Sequence, residues 1–408
     1  MKKILYLCSE YPALSHTFID VEVDELSKNF EIYTSSINYP KNIEKFSDDY
    51  VKRLNKTYYI KKENKKNILL IVLKYFIINP LKFINILNYT YNLSVKNGVK
   101  NIIKAVGYFI EAILLHNYMK KNNIKHVHIH FANPAATVAL IAKEFEGIEY
   151  SISVHGPDVF YNVKENLIVE KIKNAKFIRA ISYFCQSQLM RESTPDYWDK
   201  INIIRCGIDL SKFNNINEFV KEKKENDKIN ILCVGRIVPS KGQLLLVETV
   251  KKVIKKTKNF KVTFIGGGEY LKNLKEKVEK SNLENYIEIL GPVNNDKVIK
   301  ALESSDIFVL PSFAEGVPIV LMEAMSKKII TISTKINGIP ELIDDKKDGF
   351  LVEASNIDEL SELLIEIIKN SDNYKELKNN ARKKIEKKYD IRKNIIKLKE
   401  LFEENISD

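Results

Sequence analysis

The chain reads as an α/β protein made of two doubly wound parallel-sheet domains in tandem. Three observations predict this. Short apolar runs alternate with helical stretches along nearly the whole sequence. The alternation stops at a polar, charged connector over residues 214–228 and restarts with a new apolar strand. At 408 residues the chain is also too long for one typical domain.

The elements follow in order. KKILYLC (2–8) is a short apolar run and predicts the first strand. FIDVEVDELSKN (18–29) has helical periodicity, and EIYTSS (31–36) is the next strand. A long amphipathic region runs to about Lys121. HVHIHF (126–131) is a strand, AATVALIAKEFEG (135–147) a helix stopping at glycine, and YSISVHG (150–156) and AKFIRAIS (175–182) are strands. After the connector come the strand INILCVGR (229–236), a helix over 242–256, and the strand and glycine turn FKVTFIGGG (260–268). The strand YIEILG (286–291), the helix DKVIKALESS (296–305) and the strands DIFVLP (306–311), KIITISTK (328–335) and GFLVE (349–353) complete the second alternation. Residues 374–406 are helical and heavily charged. In such sheets ligands bind beyond the carboxyl ends of the strands, so the chemistry is expected in a cleft between the domains.

Composition narrows the function. The hydrophobic share, 45%, suits a protein with substantial cores. Cys8, Cys185, Cys206 and Cys233 are widely spaced with no C-x-x-C, which argues against a zinc site or disulfide framework and fits a reducing cytoplasm. The start, MKKILYLCSEYP, has too short an apolar core for a signal peptide, and no run of eighteen apolar residues predicts a transmembrane helix. The net charge is +12, but residues 61–104 alone hold nine lysines and one glutamate, and no nucleic-acid-binding motif accompanies them. Nucleic acid is therefore not an expected partner.

The most informative segment is PSFAEGVPIVLMEAM (311–325). Glu315 falls in a strand-to-helix loop after DIFVLP, and Glu323 about two turns into the helix. Pro318 is expected in the first helical turn, where its missing N–H costs nothing. Gly316 and the N–H groups of Val317, Ile319 and Val320 would then line the positive end of the helix, a place that binds anions and most often phosphate. This E-x7-E segment resembles that of the retaining glycosyltransferases of family 4, which have the GT-B fold of two Rossmann-like domains. The form EGVPIVLMEAMS is most similar to members that build bacterial exopolysaccharide, such as colanic-acid-type transferases. The resemblance implies that Glu315 contacts the transferred sugar and Glu323 the ribose of a UDP- or GDP-sugar.

Other segments agree. The diphosphate leaving group needs its charge neutralised as the glycosidic bond breaks. No Asp-x-Asp pair is present to hold a metal, whereas GRIVPSKG (235–242) places Arg236 and Lys241 after the first strand of the second half. The resemblance assigns both cations to the diphosphate, so no metal or other cofactor is expected. Gly266–Gly268 lacks a complete G-x-G-x-x-G, and the resemblance makes Gly267 part of the turn lining the nucleotide. Val293, in Gly291-Pro292-Val293, matches where relatives hold the base. GIPELI (338–343) reads as a helix start near the site. SVHGPDVF (153–160) is similar to the H-G-x-D segment of the family, with His155 near the transferred sugar and Asp158 beside it; neutral imidazole can bond a sugar hydroxyl or move a proton.

In the first loop, Ser15-His16-Thr17 stands where many relatives have a glycine pair, and Ser15, His16 and Thr17 are read as acceptor-side residues, with Ser15 or Thr17 able to cap the next helix. His126, His128 and His130 alternate on one strand face; with no carboxylate evident nearby, core packing or acceptor-side polarity is favoured over metal binding. RCGIDLSKF (205–213) resembles the hinge of the family. The implied domains are 1–208, joined by a C-terminal helix (388–408) that crosses back, and 209–387.

The insert KKENKKNILLIVLKYFIINPLKFINILNYTYN (61–92) mixes lysine with large apolar residues. Two readings stand: residues 61–104 lie on an anionic membrane surface, or the helices cover the first sheet. The expected activity is retaining transfer from a nucleotide sugar to a saccharide or lipid-linked acceptor, in the cytoplasm or on the inner membrane face. The alternative is a non-catalytic subunit of the same fold that holds nucleotide sugars.

Overall fold

The computed structural model describes residues 1–13, 16–41, 43, 48–95, 102–156, 159, 163–213 and 228–406. The chain forms two compact units, Met1–Arg205 with Ile395–Asp408, and Cys206–Asn394.

Unit 1 holds strands β1 (Lys3–Glu10), β2 (Glu31–Asn38), β3 (Tyr58–Tyr59), β4 (His126–His130), β5 (Glu149–Val154), β6 (Ile178–Ala180) and β7 (Ile201–Ile203). They form one sheet in the order β3-β2-β1-β4-β5-β6-β7, with every pairing parallel. The central strands are covered on both faces, so they read as continuous apolar runs. Leu5, between Tyr33 of β2 and Val127 of β4, has no exposed surface. The edge strands β3 and β7 were not expected. At two and three residues they are too short to leave a periodic signal.

The helices of unit 1 are α1 (Thr17–Leu26), α2 (Asp48–Lys56), α3 (Lys65–Ile78), α4 (Pro80–Val95), α5 (Ile102–Lys121), α6 (Pro134–Lys143), α7 (Ile168–Asn174) and α8 (Tyr183–Arg191). Asn133 accepts from the Ala135 N–H and Pro134 fills the first turn, which fixes where α6 begins. The α1 cap differs from expectation. His16 is the N-cap residue and makes no side-chain cap bond, and Thr17 is already helical. Ser15 lies outside the described residues. From the end of the chain, Phe402 packs its ring on Phe30, Phe177 and His128.

Unit 2 repeats the plan. Strands β8 (Ile229–Val234), β9 (Phe260–Ile265), β10 (Ile287–Gly291), β11 (Ile307–Leu310), β12 (Ile330–Thr334) and β13 (Phe350–Val352) form a parallel sheet in the order β10-β9-β8-β11-β12-β13. Helices α9 (Gln243–Val253), α10 (Leu271–Lys280), α11 (Asn295–Glu303), α12 (Ile319–Ser326), α13 (Ile339–Leu342), α14 (Ile357–Lys369) and α15 (Lys375–Lys388) surround it, and α16 (Ile391–Asn405) ends the chain. Asn294 and Asn356 cap α11 and α14 through their side chains.

In each sheet the strand order reverses once, between β1 and β4 in unit 1 and between β8 and β11 in unit 2. Connections leave such a point in opposite directions, so a crevice opens there beyond the carboxyl ends of the strands. The predicted polar residues gather at these two points.

Candidate active site

At the reversal point of unit 2, the loop after β8 meets the loop after β11. Gly242, at φ +67°, is pressed so closely on this neighbour that a Cβ would stand 2.0 Å from the Pro311 carbonyl oxygen. Only glycine fits that approach. The Ser240 carbonyl accepts from the Phe313 N–H at 2.7 Å and ties the two loops. The turn Pro239–Lys241 thereby presents Lys241 to Glu315, with Lys241 Nζ 2.5 Å from Glu315 Oε1. The Ser312 hydroxyl donates to the same oxygen at 2.7 Å. Glu315 is buried, and its carboxylate is met by a cation and a hydroxyl. A glutamate so held has one oxygen committed to orientation, the arrangement expected of a group that must meet a ligand in one geometry.

Arg236 follows β8 and is exposed. Its own carbonyl accepts from the Gln243 side chain at 2.8 Å, which anchors the loop to the start of α9. The glycine turn after β9 packs against it. A Cβ on Gly266 would meet the Gly235 carbonyl at 1.9 Å, and Ile237 N–H donates to the Gly267 carbonyl at 2.9 Å. A Cβ on Gly267 would touch the Pro292 ring at 3.4 Å, next to half-buried Val293. The structure therefore brings Arg236, Gly267 and Val293 onto three adjoining loops at the ends of β8, β9 and β10.

Pro318 is the N-cap of α12, at φ −67° and ψ 122°, one position earlier than expected. A proline ring fits there too, because the extended backbone needs no donor. The helix starts at Ile319, and the Gly316–Val317 turn precedes it. Gly338, at the start of α13, closes on this turn: a Cβ there would lie 2.5 Å from the Gly316 carbonyl. The first N–H groups of a helix have no partner within it, so the start of α12 offers donors beside the Gly316–Val317 turn. Glu323 is on the same helix and is half-buried. Burial pushes its carboxyl up to about 7, against the pull of Lys212.

Unit 1 carries a second cluster at its own reversal point. His155, at the end of β5, and His130, at the end of β4, stand side by side, with Nε2 of His155 3.0 Å from Nδ1 of His130. The other nitrogen of His130 lies 3.1 Å from Glu22 Oε1. Glu22 comes from α1 and is fully buried; it also accepts from Tyr6 at 2.8 Å and from Arg179 at 2.5 Å. Burial alone would raise the Glu22 carboxyl, but Arg179 and then His130 hold it well below the usual carboxylate range. An ionised Glu22 only accepts, so His130 must carry its proton on Nε2. With one proton on each ring, His130 Nδ1 then accepts from His155 Nε2. Burial, then His130 and Arg179, hold His155 well below the usual imidazole range, so its ring is neutral near pH 7.

The sequence reading placed no carboxylate near the histidine strand. The structure corrects this, since Glu22 lies 108 positions from His130 in the chain yet bonds it. Glu22, His128 and His130 have ligand atoms within 4.8 Å of one another. Those atoms are already engaged: His128 bonds Ser151 at 2.7 Å and Ser153 at 2.8 Å, and Glu22 is paired with Arg179. His126 also bonds Ser151, at 2.7 Å. These histidines pack and orient within the core. The His16 ring lies tilted against Phe131 at 5.1 Å, and Phe131 lies 4.7 Å from His155. Asp158 lies outside the described residues.

Three partners escaped the sequence reading: Ser312, Glu22 and Arg179. The last two had a signal. Glu22 sits on the apolar stripe of α1 with Ile19, Val23 and Leu26, and Arg179 interrupts the buried strand FIRAIS. A charge in each of two buried elements implies that they pair.

A buried carboxylate beside a lysine thus stands at the mouth of a doubly wound sheet, next to a helix N-terminus. Residues 214–384 match the family described as glycosyl transferases group 1. The second half of the chain is thus similar to a group 1 glycosyltransferase domain, and the fold is the GT-B fold. It is 28% identical, over 71% of its length and 78% of the relative, to the UDP-Gal:alpha-D-GlcNAc-diphosphoundecaprenol alpha-1,3-galactosyltransferase of Escherichia coli. It is 27% identical to the amylovoran biosynthesis glycosyltransferase AmsK of Erwinia amylovora, over 59% of this chain and 60% of that protein. Among solved structures, Anabaena HepE in complex with UDP and glucose superposes with a TM-score of 0.74 at 14% identity, covering 99% of this chain and 100% of that one.

Proposed function

We propose that the protein transfers a sugar from a UDP- or GDP-sugar to a saccharide or lipid-linked saccharide during assembly of a bacterial surface polysaccharide, with retention of configuration and without a metal. The observation that carries this is the Lys241–Glu315 pair, held by Ser312 at the reversal point of unit 2 and flanked by exposed Arg236. In this reading Glu315 orients the donor sugar and Glu323 holds the ribose. Gly316, Val317 and Ile319 cradle phosphate at the helix N-terminus, while Gly267 and Val293 line the nucleotide. Arg236 gives the departing diphosphate a bidentate fork and Lys241 a point charge. His155, oriented through His130 and Glu22, serves the sugar hydroxyls, and His16, Thr17 and the Ser15 and Asp158 positions serve the acceptor. The likeness to a galactosyltransferase whose name carries a diphosphoundecaprenol acceptor supports a lipid-linked substrate. Such a substrate favours work at the inner membrane face, with residues 61–104 as the contact.

The test is transfer from radiolabelled nucleotide sugars by Glu315→Gln and Arg236→Ala. Both residues stand in loops where a polar exchange leaves the core intact. Transfer should fall at least a hundredfold, with an unchanged unfolding temperature for Arg236→Ala and only a small drop for Glu315→Gln, which takes the carboxylate from Lys241. Activity within a few-fold of wild type in either variant refutes the assignment.

A further inference from the structure

The helices α3 and α4 meet at Asn79 with a bend of 114°. Among the described residues no single helix is long and apolar enough to cross a membrane; this bent pair meets the length and composition only when taken together. One face of each helix packs on unit 1, through Ile68, Ile71, Val72 and Tyr75 of α3 and Phe83 and Ile86 of α4. The opposite face is apolar as well. Ile77 is 74% exposed, Ile78 69% and Leu81 75%, and Leu73, Phe76 and Ile84 stand exposed beside them. A helix that is apolar all round needs an apolar environment on every side. Here the protein supplies one side only.

Charge lies at the same corner. A cavity of about 200 Å³ opens at the bend, with Tyr75, Ile78 and Phe83 among its apolar walls and Lys74, Lys82 and Lys120 around them. Lys82 also bridges Glu146 at 2.8 Å, whereas Lys74 has no ion pair among the described residues. Lys65 and Lys66, in the first turn of α3, are exposed. Apolar side chains at the tip with ammonium groups set behind them match the layering of an anionic leaflet, acyl chains below and phosphates above.

We propose that the bend of α3 and α4 is an in-plane wedge for an anionic bilayer. Phe76, Ile77, Ile78 and Leu81 enter the acyl region, and the Lys74–Lys120 cavity takes one phospholipid phosphate. This deepens the reading of residues 61–104 as a membrane contact and commits it to a lipid site. The bend keeps both helices in one leaflet, and the charged groups at α3's start and at Lys74 hold the depth.

The experiment is flotation of the full chain with vesicles of phosphatidylcholine, alone or with phosphatidylglycerol. The wild type should bind the anionic vesicles at least tenfold more tightly, with the affinity falling as salt rises. Ile77→Ser/Ile78→Ser/Leu81→Ser should abolish binding. Lys74→Glu/Lys120→Glu should lower it at least tenfold. All these positions lie outside the glycosyl-transfer cluster, so each variant should keep donor binding and transfer to a soluble acceptor. Equal binding to both vesicle types, no binding, or binding by the triple-serine variant overturns the wedge. So does release by inorganic phosphate at constant ionic strength, which would make the cavity a soluble-anion site. If the wedge fails while transfer persists, the enzymatic reading stands; if transfer is absent and vesicle binding is intact, the reverse holds.

Discussion

Glu323→Gln should stabilise the protein above neutral pH and cripple it as a donor-binding enzyme. In the fold the Glu323 carboxyl is pushed from its usual 4.5 up to about 7, first by burial, with Lys212 opposing. The folded state therefore holds this proton more tightly than the unfolded chain does. Below pH 4.5 both states are protonated and Glu323 has no effect. Between 4.5 and 7 the unfolded chain releases the proton first, so stability falls as pH rises, and above 7 a constant penalty remains. A displacement of roughly two and a half pH units corresponds to about 3 kcal/mol at full burial. The residue is half-buried, so screening reduces this to about 1–3 kcal/mol. Glutamine keeps the shape and removes the charge. The variant should melt at the same temperature as wild type at pH 4.5 and about 2–12 °C higher at pH 8, given about 2–4 °C per kcal/mol for a unit of this size. Calorimetry at several pH values reads this directly. Under the proposed ribose role of Glu323, titration with UDP and UDP-sugars at pH 8 should show at least tenfold weaker binding, since a charged acceptor is lost. A melting difference that is flat with pH, or a loss of stability at pH 8, refutes the argument that this carboxylate is held at a cost for ligand.

The remaining predictions are independent of that one. Lys241→Met leaves the buried Glu315 carboxylate with Ser312 as its recorded partner; unit 2 should lose about 1–3 kcal/mol in chemical denaturation and transfer should fall at least a hundredfold, and full stability would mean that the pair does not form. Under the proposed role of Arg236 and Lys241 at the diphosphate, transfer should continue in saturating EDTA; loss restored by magnesium or manganese would refute it. Glu22→Gln strands the Arg179 guanidinium in the core and should cost about 3–5 kcal/mol, while Glu22→Leu combined with Arg179→Met should recover most of it. Because Glu22 is held ionised in the fold, its contribution is complete above its unfolded value and should vanish as pH falls through the lower, folded value.

Much of this was legible in the residues themselves. Parallel strands buried on both faces must be continuous apolar runs, so β1, β8, β9 and β11 announce themselves, and a restart after a polar connector implies a second sheet. Gly242 and Gly266 stand where backbone meets backbone, and Glu315 and Glu323 fall on one loop and its helix, so local spacing alone placed them together. What tertiary structure decided is everything that depends on distance across the chain. Lys241 reaches Glu315 from 74 positions away, and Glu22 reaches Arg179 from 157. No periodicity encodes which buried charge meets which; it follows from the strand order, which brings β1 beside β4 and β8 beside β11. The insert divides in the same way. Its composition declared an apolar, basic segment. Only the packing of α3 on one side determined that the apolar face opposite is left bare, because a helix can bury just the surface that its neighbours touch.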